Sequence, residues 1–266
     1  MLTKVFDVHT HIFPDKIAER TVRSIGEASS LQPSYNGTRE GLMQAMQKAG
    51  ISGALNCPIA TKPEQVESIT AWAARQNQWP VLSLASIHPD YPDKRRFFQE
   101  LESHGLCGIK AHPEYQDFTL DDPRMTPVWE ECNSRKLIVM LHPGADIAFT
   151  APFHSEPKAV AELIAQYPDM RLIAAHFGGW EMWDQVASVL IGKDVYLDTS
   201  FTLGRLPDDD LIRLIRRHGI GKILYGTDAP WRDQAADLEY FLKLPLTTKE
   251  RDAILWENAA ALLSFC

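Results

Sequence analysis

The sequence predicts a single-domain (β/α)8 barrel, the TIM-barrel architecture, over residues 1–266. Three observations carry that prediction. Short β-rich apolar runs alternate with longer helical segments, their spacing is that of βαβ units, and polar residues end the runs all round the chain. From His9 to Asp228 there are 219 positions in seven strand-to-strand steps, about 31 residues each, and a βαβ step takes roughly 30 or more residues. Eight such units in about 250 residues is the arithmetic of this barrel. A doubly wound open sheet competes poorly, because no GxGxxG follows the first run.

The predicted strands are 5–9 (VFDVH), 51–56 (ISGALN), 81–87 (VLSLASI), 106–110 (LCGIK), 137–142 (LIVMLH), 171–176 (RLIAAH), 194–199 (DVYLDT) and 222–228 (KILYGTD). Helical periodicity fills several of the gaps. Residues 37–49 follow a start at Asn36 or Thr38 and place Leu42, Met43 and Met46 near one stripe. Pro63 opens 63–77, as suits a first helical turn. In 156–167, Val160, Leu163 and Ile164 share a face and Pro168 ends it; 207–218 repeats Leu211, Leu214 and Ile215. A last helical stretch runs from Thr248 through Leu262 and Leu263.

Composition narrows the function classes. Lys plus Arg number 27 against 35 Asp plus Glu, a net charge of −8, which disfavours a nucleic-acid backbone binder. It leaves room for a small anionic substrate, because one local Arg or Lys can outweigh the global sign. Cys57, Cys107, Cys132 and Cys266 lie far apart without a CxxC pair, so they read as reduced thiols of a cytoplasmic protein. No apolar stretch approaches the ~20 residues of a membrane span, and the first residues run into a strand without a signal peptide.

The placement of histidines and acids is the informative feature. His9 ends the first strand with His11 two residues on. Lys110 ends the fourth, with His112 beyond it, His142 ends the fifth, His176 the sixth and Asp228 the eighth. A barrel gathers these C-terminal strand ends on one rim, where ligands bind. Imidazole nitrogens with a carboxylate suit Zn2+, Fe2+, Mn2+ or Co2+, and such a metal lowers the pKa of a bound water towards neutrality. A lone HxH is commonly chance, and a strand-end Asp is often a turn former. No structural need explains polar residues at the mouths of five strands together.

These residues sit in the segments FDVHTHIFP (6–14), GIKAHP (108–113), MLHPG (140–144), AAHFGG (174–179), YLDTS (196–200), YGTDAPW (225–231) and ENAAALL (257–263). In that order they resemble the amidohydrolase superfamily, in particular its amidohydrolase-related branch, which includes the aminocarboxymuconate semialdehyde decarboxylase group. The resemblance implies a metal held by His9, His11, His142 and Asp228, with His176 catalytic beside Asp228. Zn2+ is the first choice, one ion per chain. A second metal would make His176 a ligand and Lys110 a carboxylated bridge. The resemblance also implies a homodimer.

The leading reading from sequence is a hydrolase acting on an amide, ester or lactone carbonyl of a small organic molecule through metal-activated water. Asp228 would move the proton and His176 steady the oxyanion. The alternative is non-oxidative decarboxylation of a small unsaturated or aromatic carboxylic acid. There a cation such as Lys110, Arg205 or Arg232 would hold the carboxylate, and His112 is a candidate substrate contact. Rim aromatics (Phe149, Phe153, Phe177, Trp180, Trp183 and Trp231) could wall a partly apolar pocket. A non-catalytic barrel is the third reading, and it would be favoured by loss of the histidine pair or of Asp228; all are present.

Overall fold

A computed structural model describes residues 4–264. All eight predicted strands form: β1 (Phe6–Thr10), β2 (Gly53–Asn56), β3 (Val81–Ser83), β4 (Gly108–Ala111), β5 (Ile138–Leu141), β6 (Arg171–Ala174), β7 (Tyr196–Asp198) and β8 (Ile223–Leu224). Paired strands are parallel, in the order β1-β2-β3 in one ladder and β4-β5-β6-β7-β8 in the other. Two bridges join the ladders. Ala85, just past β3, pairs with Ile109 of β4, and Thr10 pairs with Ala229, just past β8. The backbone hydrogen bonds Lys110 N to Ala85 O and Asp228 N to His9 O, both 2.8 Å, run through the same seams. The sheet therefore closes on itself and the (β/α)8 prediction holds. The strands are shorter than their runs because the last residues of each run leave the ladder to build the rim. Thus β8 ends at Leu224, where its run was predicted to 228.

Among the described residues twelve α-helices accompany the strands: α1 (Asp15–Ser29), α2 (Arg39–Ala49), α3 (Val66–Gln76), α4 (Lys94–Ser103), α5 (Pro113–Gln116), α6 (Thr126–Ser134), α7 (Pro157–Gln166), α8 (Trp183–Val189), α9 (Asp208–His218), α10 (Gln234–Lys243), α11 (Thr248–Asp252) and α12 (Asn258–Leu263). Thr38, one of the two predicted starts, caps α2 by accepting from Gly41 N at 3.0 Å. Pro63 opens a 3-10 turn that runs into α3. The last helical stretch is capped one residue early, by Thr247, and passes through a π segment, Ala253–Glu257. Helix α1 was not foreseen. Its buried stripe is Ala18, Val22, Gly26 and Ser29, mostly small side chains that leave little hydrophobic periodicity to read.

Alternate strand residues separate two cores, as the two-residue period of a strand requires. Phe6 and Val8, Ile138 and Met140, and Ile173 and Ala175 fill one cluster, which Ala259 and Leu262 of α12 join. Val139, Leu141, Leu172 and Ala174 instead pack with the helices, against residues such as Phe97, Trp129, Leu163 and Phe241. Cys57 and Cys132 are free and buried, whereas Cys107 is disulfide-bonded, which corrects the expectation of four reduced thiols; Cys266 lies outside the described residues. No described helix is long and apolar enough to cross a membrane.

Candidate metal centre

Seven of the residues singled out from sequence line one cavity of about 590 Å3 at the C-terminal ends of the strands: His9, His11, Lys110, His112, His142, His176 and Asp228. The chain arranges this meeting locally. The pairing of β1 with β2 slips between Asp7 and Thr10, a bulge within the strand that carries His9, and bulges re-aim side chains. Asp7 points the other way and ties β1 to the β8 segment. It accepts from Thr227 Oγ1 at 2.6 Å, Gln234 Nε2 at 2.8 Å and Thr227 N at 3.0 Å. Burial pushes its carboxyl up to about 7 against these hydrogen bonds. Gly226 lets the same strands approach, since a Cβ there would lie 3.2 Å from the Cβ atoms of both Asp198 and His9.

His9, His11 and Asp228 form a buried donor triad. His11 Nε2 lies 2.8 Å and His9 Nε2 3.4 Å from Asp228 Oδ1, and the three donor atoms lie within 4.8 Å of one another. On its far side His9 donates from Nδ1 to Asp198 Oδ2 at 2.9 Å. That hydrogen bond fixes the tautomer and turns the Nε2 lone pair into the cavity, the arrangement a metal-ligating histidine needs. Lys110 Nζ, 1% exposed with its residue, donates to this Nε2 at 3.2 Å. Burial pushes the Asp228 carboxyl above the usual range, while the His11 hydrogen bond and Lys110 pull it back.

His142 stands apart from this triad, in a second cluster with His112 and Asp146. The His112 and His142 rings stack at 4.1 Å and 18°. Asp146 Oδ2 lies 3.4 Å from His112 Nε2 and 3.5 Å from His142 Nε2. His176 links the two groups, with Nε2 3.0 Å from His142 Nδ1 and its ring 5.2 Å from that of His9. His9, His112, His142 and His176 are all held well below the usual imidazole range. Burial is the main cause in each; Lys110 adds to it for His9 and His112, His112 for His142, and His142 for His176.

Counting protons tests whether these side chains fit a cation. A chain of contacts runs from Asp198 Oδ1 to the Ser200 hydroxyl, on to His176 Nδ1 at 2.9 Å, from His176 Nε2 to His142 Nδ1 at 3.0 Å, and from His142 Nε2 to Ala145 O at 3.3 Å. Both ends only accept. With neutral imidazoles, Ser200, His176 and His142 bring one proton each, three protons for four contacts. A cation that takes the lone pair of His142 Nδ1 removes the contact with His176 from the chain, and the three protons then satisfy the other three contacts. The donor set of neutral imidazoles and a carboxylate is also that of Zn2+ or Mn2+ sites. The residues present fit a divalent metal.

The chain matches the Amidohydrolase family over residues 6–265. It belongs to the amidohydrolase family. No curated protein sequence matches it, but solved structures share the fold. An uncharacterised TIM-barrel protein from Bordetella bronchiseptica superposes with a TM-score of 0.78 at 18% identity, over 98% of this chain and 99% of that one. The 5-carboxyvanillate decarboxylase of Sphingomonas paucimobilis gives 0.71 at 14%, over 98% and 99%. A dihydroxybenzoic acid decarboxylase from Polaromonas sp., solved with manganese and the inhibitor 2-nitroresorcinol, gives 0.72 at 16%, over 99% and 97%. At these identities the likeness is one of fold.

As an amidohydrolase, the chain brings most of the expected residues together and leaves others aside. Arg232 does not line the cavity; Asp237 and Leu203 O hold its guanidinium. Arg205 pairs with Glu181 at 3.6 Å over the Trp180 and Phe201 rings. Of the rim aromatics, Trp180 and Trp231 wall the cavity, joined by Tyr115 and Phe201. Phe177 is in the core, and Trp183 donates to His176 O at 3.1 Å. Trp180 Nε1 is buried with no hydrogen-bond partner among the described residues. His176 and Asp228 both have left-handed backbones, φ 56° and 68°, a conformation that costs a non-glycine residue about 1–3 kcal/mol and clusters at functional sites. The sequence reading missed Asp7, Asp146, Asp198 and Ser200. Asp7 and Asp198 stand inside FDVHTH and YLDTS, and an acid within a strand that must be buried was the available signal.

Proposed function

We propose that this amidohydrolase is a metal-dependent, non-oxidative decarboxylase of a small aromatic or unsaturated carboxylic acid. This places second the hydrolase reading that leads from sequence. The observation that carries it is Lys110. Its ammonium is buried, reaches the His9 Nε2 lone pair at 3.2 Å, and has no carboxylate within salt-bridge distance among the described residues. A substrate carboxylate at that point would answer the lysine and the metal-binding donors together. The dihydroxybenzoic acid and 5-carboxyvanillate decarboxylases of the same fold support the reading.

A divalent cation, Zn2+ first and Mn2+ second, would be held by His9, His11, His142 and Asp228 and would supply Lewis acidity at the carboxylate end of the substrate. Lys110 holds the carboxylate, and the unpartnered Trp180 Nε1 offers a donor to a substrate oxygen. The aromatic walls exclude water from the ring. In the reaction the bond between the carboxylate carbon and the ring or alkene carbon breaks and CO2 leaves. The electron pair stays on the substrate carbon, which takes a proton carried by Asp228 with His176 beside it. Incubation of the metal-loaded chain with hydroxybenzoates in D2O is expected to release CO2 and to put deuterium on the carbon that lost it. Turnover of lactones or esters with no CO2 from any carboxylic acid overturns the reading.

Hydrolysis stays the second reading because of one feature, the His142 Nδ1 and His176 Nε2 pair. If those nitrogens and a carboxylated Lys110 hold a second ion, two equivalents of metal per chain are expected, and the balance moves to hydrolysis. One equivalent by elemental analysis supports the decarboxylase. No bound metal, even after addition of Zn2+ or Mn2+, overturns both.

A further inference from the structure

Past the histidine cluster the same cavity continues between two helices. Helix α1 lines it with Ile17, Thr21, Ile25 and Ser29, four residues apart, and α3 with Ser68, Ile69, Trp72 and Arg75, three and four apart. These spacings put each set on one helix face. Such stripes ordinarily interlock when helices pack, but here both face a cavity. Ile12, Phe13 and Ile59 continue the apolar wall from the histidines to the helices. Ile17 is 39% exposed, and Ser68 and Arg75 are exposed as well. The whole space, about 590 Å3, is in the range of roughly 300–1,000 Å3 that drug-sized ligands fill. A single substituted ring at the histidines leaves the α1–α3 part empty.

We infer that the substrate carries an apolar side chain of several carbons, and that this chain lies in the channel between α1 and α3 while the carboxylate sits at Lys110. The inference rests on the decarboxylase reading for the head group alone; the tail follows from the walls. It fits an alkyl-substituted hydroxybenzoate better than a bare one. Continuity with the histidine-lined cavity argues for a substrate tail as the occupant rather than a separate protein partner.

The test is calorimetric binding of 4-alkylsalicylates, methyl to hexyl, to the full-length metal-loaded protein. Each added methylene is expected to tighten Kd by about fourfold, from roughly 0.8 kcal/mol per buried CH2. Ile25→Glu and Ile69→Glu are expected to flatten that dependence on chain length. Ile17→Glu, at a position that already meets water, is expected to flatten it least and guards against loss of fold in the other two. Affinity that does not change with chain length, no binding by any member, or an unaltered slope in all three variants overturns the channel. CO2 release by the methyl member with a flat slope overturns the channel and spares the decarboxylase. A steep slope without CO2 release does the reverse.

Discussion

The β1–β8 side of the cavity and its β4–β5 side carry the same residue types, yet the chain anchors them by different means. On the first side, His9 is held from behind by Asp198, and Asp198 by His176 N and Ser200 N at 3.0 Å each. Asp7 ties β1 to Thr227 and to Gln234 of α10. On the second side, His112 has a 3.5 Å contact from Tyr115 N to its Nδ1 and a 3.4 Å contact from its Nε2 to Asp146, which comes from the loop after β5. That loop is pinned at Gly144, where φ is 88° and a Cβ would lie 2.5 Å from Trp180 N. Donors locked by buried carboxylates are suited to a metal, and His112 with the loop-borne Asp146 to a substrate that comes and goes. What differs is the support behind the side chains, and the support sets the role.

The largest effect expected from that division is at Asp228. Asp228→Asn removes a donor of the triad and the group placed to carry the proton, and kcat is expected to fall by about 10^3 or more. Deuterium incorporation at the decarboxylated carbon should slow in parallel. If kcat holds while KM rises, the β1–β8 side binds substrate and the comparison inverts.

A sharper test sets one supporting carboxylate against its counterpart. Asp198→Asn is expected to weaken metal binding about 10–100-fold, the scale for losing the partner behind a ligating histidine. Asp146→Asn is expected to change it by less than about threefold, because His142 Nε2 keeps Ala145 O as an acceptor at 3.3 Å, and to act on KM instead. Competition against a chromophoric chelator reads both. Equal losses in the two variants would make Asp146 a support behind His142 of the same weight as Asp198 behind His9.

Asp7 separates holding the site from holding the fold. Asp7→Leu leaves the Thr227 hydroxyl and the Gln234 amide buried without an acceptor and is expected to cost about 2–4 kcal/mol. Urea unfolding of the metal-free protein checks it. A variant of normal stability that no longer keeps metal would make Asp7 part of the site rather than of the barrel seam.

These supporting residues are the ones that the sequence concealed. His9, His11, His142, His176 and Asp228 were legible because each stands at or just past the end of a predicted strand, and a barrel brings strand ends together whatever their separation in sequence. The eight strands were legible from their apolar runs. Asp7 and Asp198 lie within strands, and their work depends on partners such as Thr227, 220 residues from Asp7, which no local pattern displays. Asp146 sits in an irregular loop. Helix α1 hid behind small buried side chains, and with it went one wall of the channel.

The smallest effect lies outside both sides and keeps their pH behaviour interpretable. His218 at the end of α9 accepts from Gly192 N at its Nδ1 at 3.1 Å and donates from Nε2 to Val195 O at 2.8 Å. Only the neutral ring can do both. Burial holds its pKa below the usual value, so the unfolded chain takes up a proton near pH ~6.5 that the folded chain refuses. Its contribution to stability is therefore complete above about pH 6.5 and is lost as pH falls through the lower folded value. The denaturation midpoint of the chelated protein, followed between about pH 5 and 8, should fall on the acid side, and His218→Gln should flatten part of that fall. Acid dependence that survives in this variant belongs to the other groups that burial shifts, the cavity imidazoles and His88 with the same sign and Asp7, raised to about 7, with the opposite one. If bound metal then removes it, the cavity imidazoles are the rings that the metal holds neutral; if metal leaves it untouched, it belongs to groups away from the metal donors.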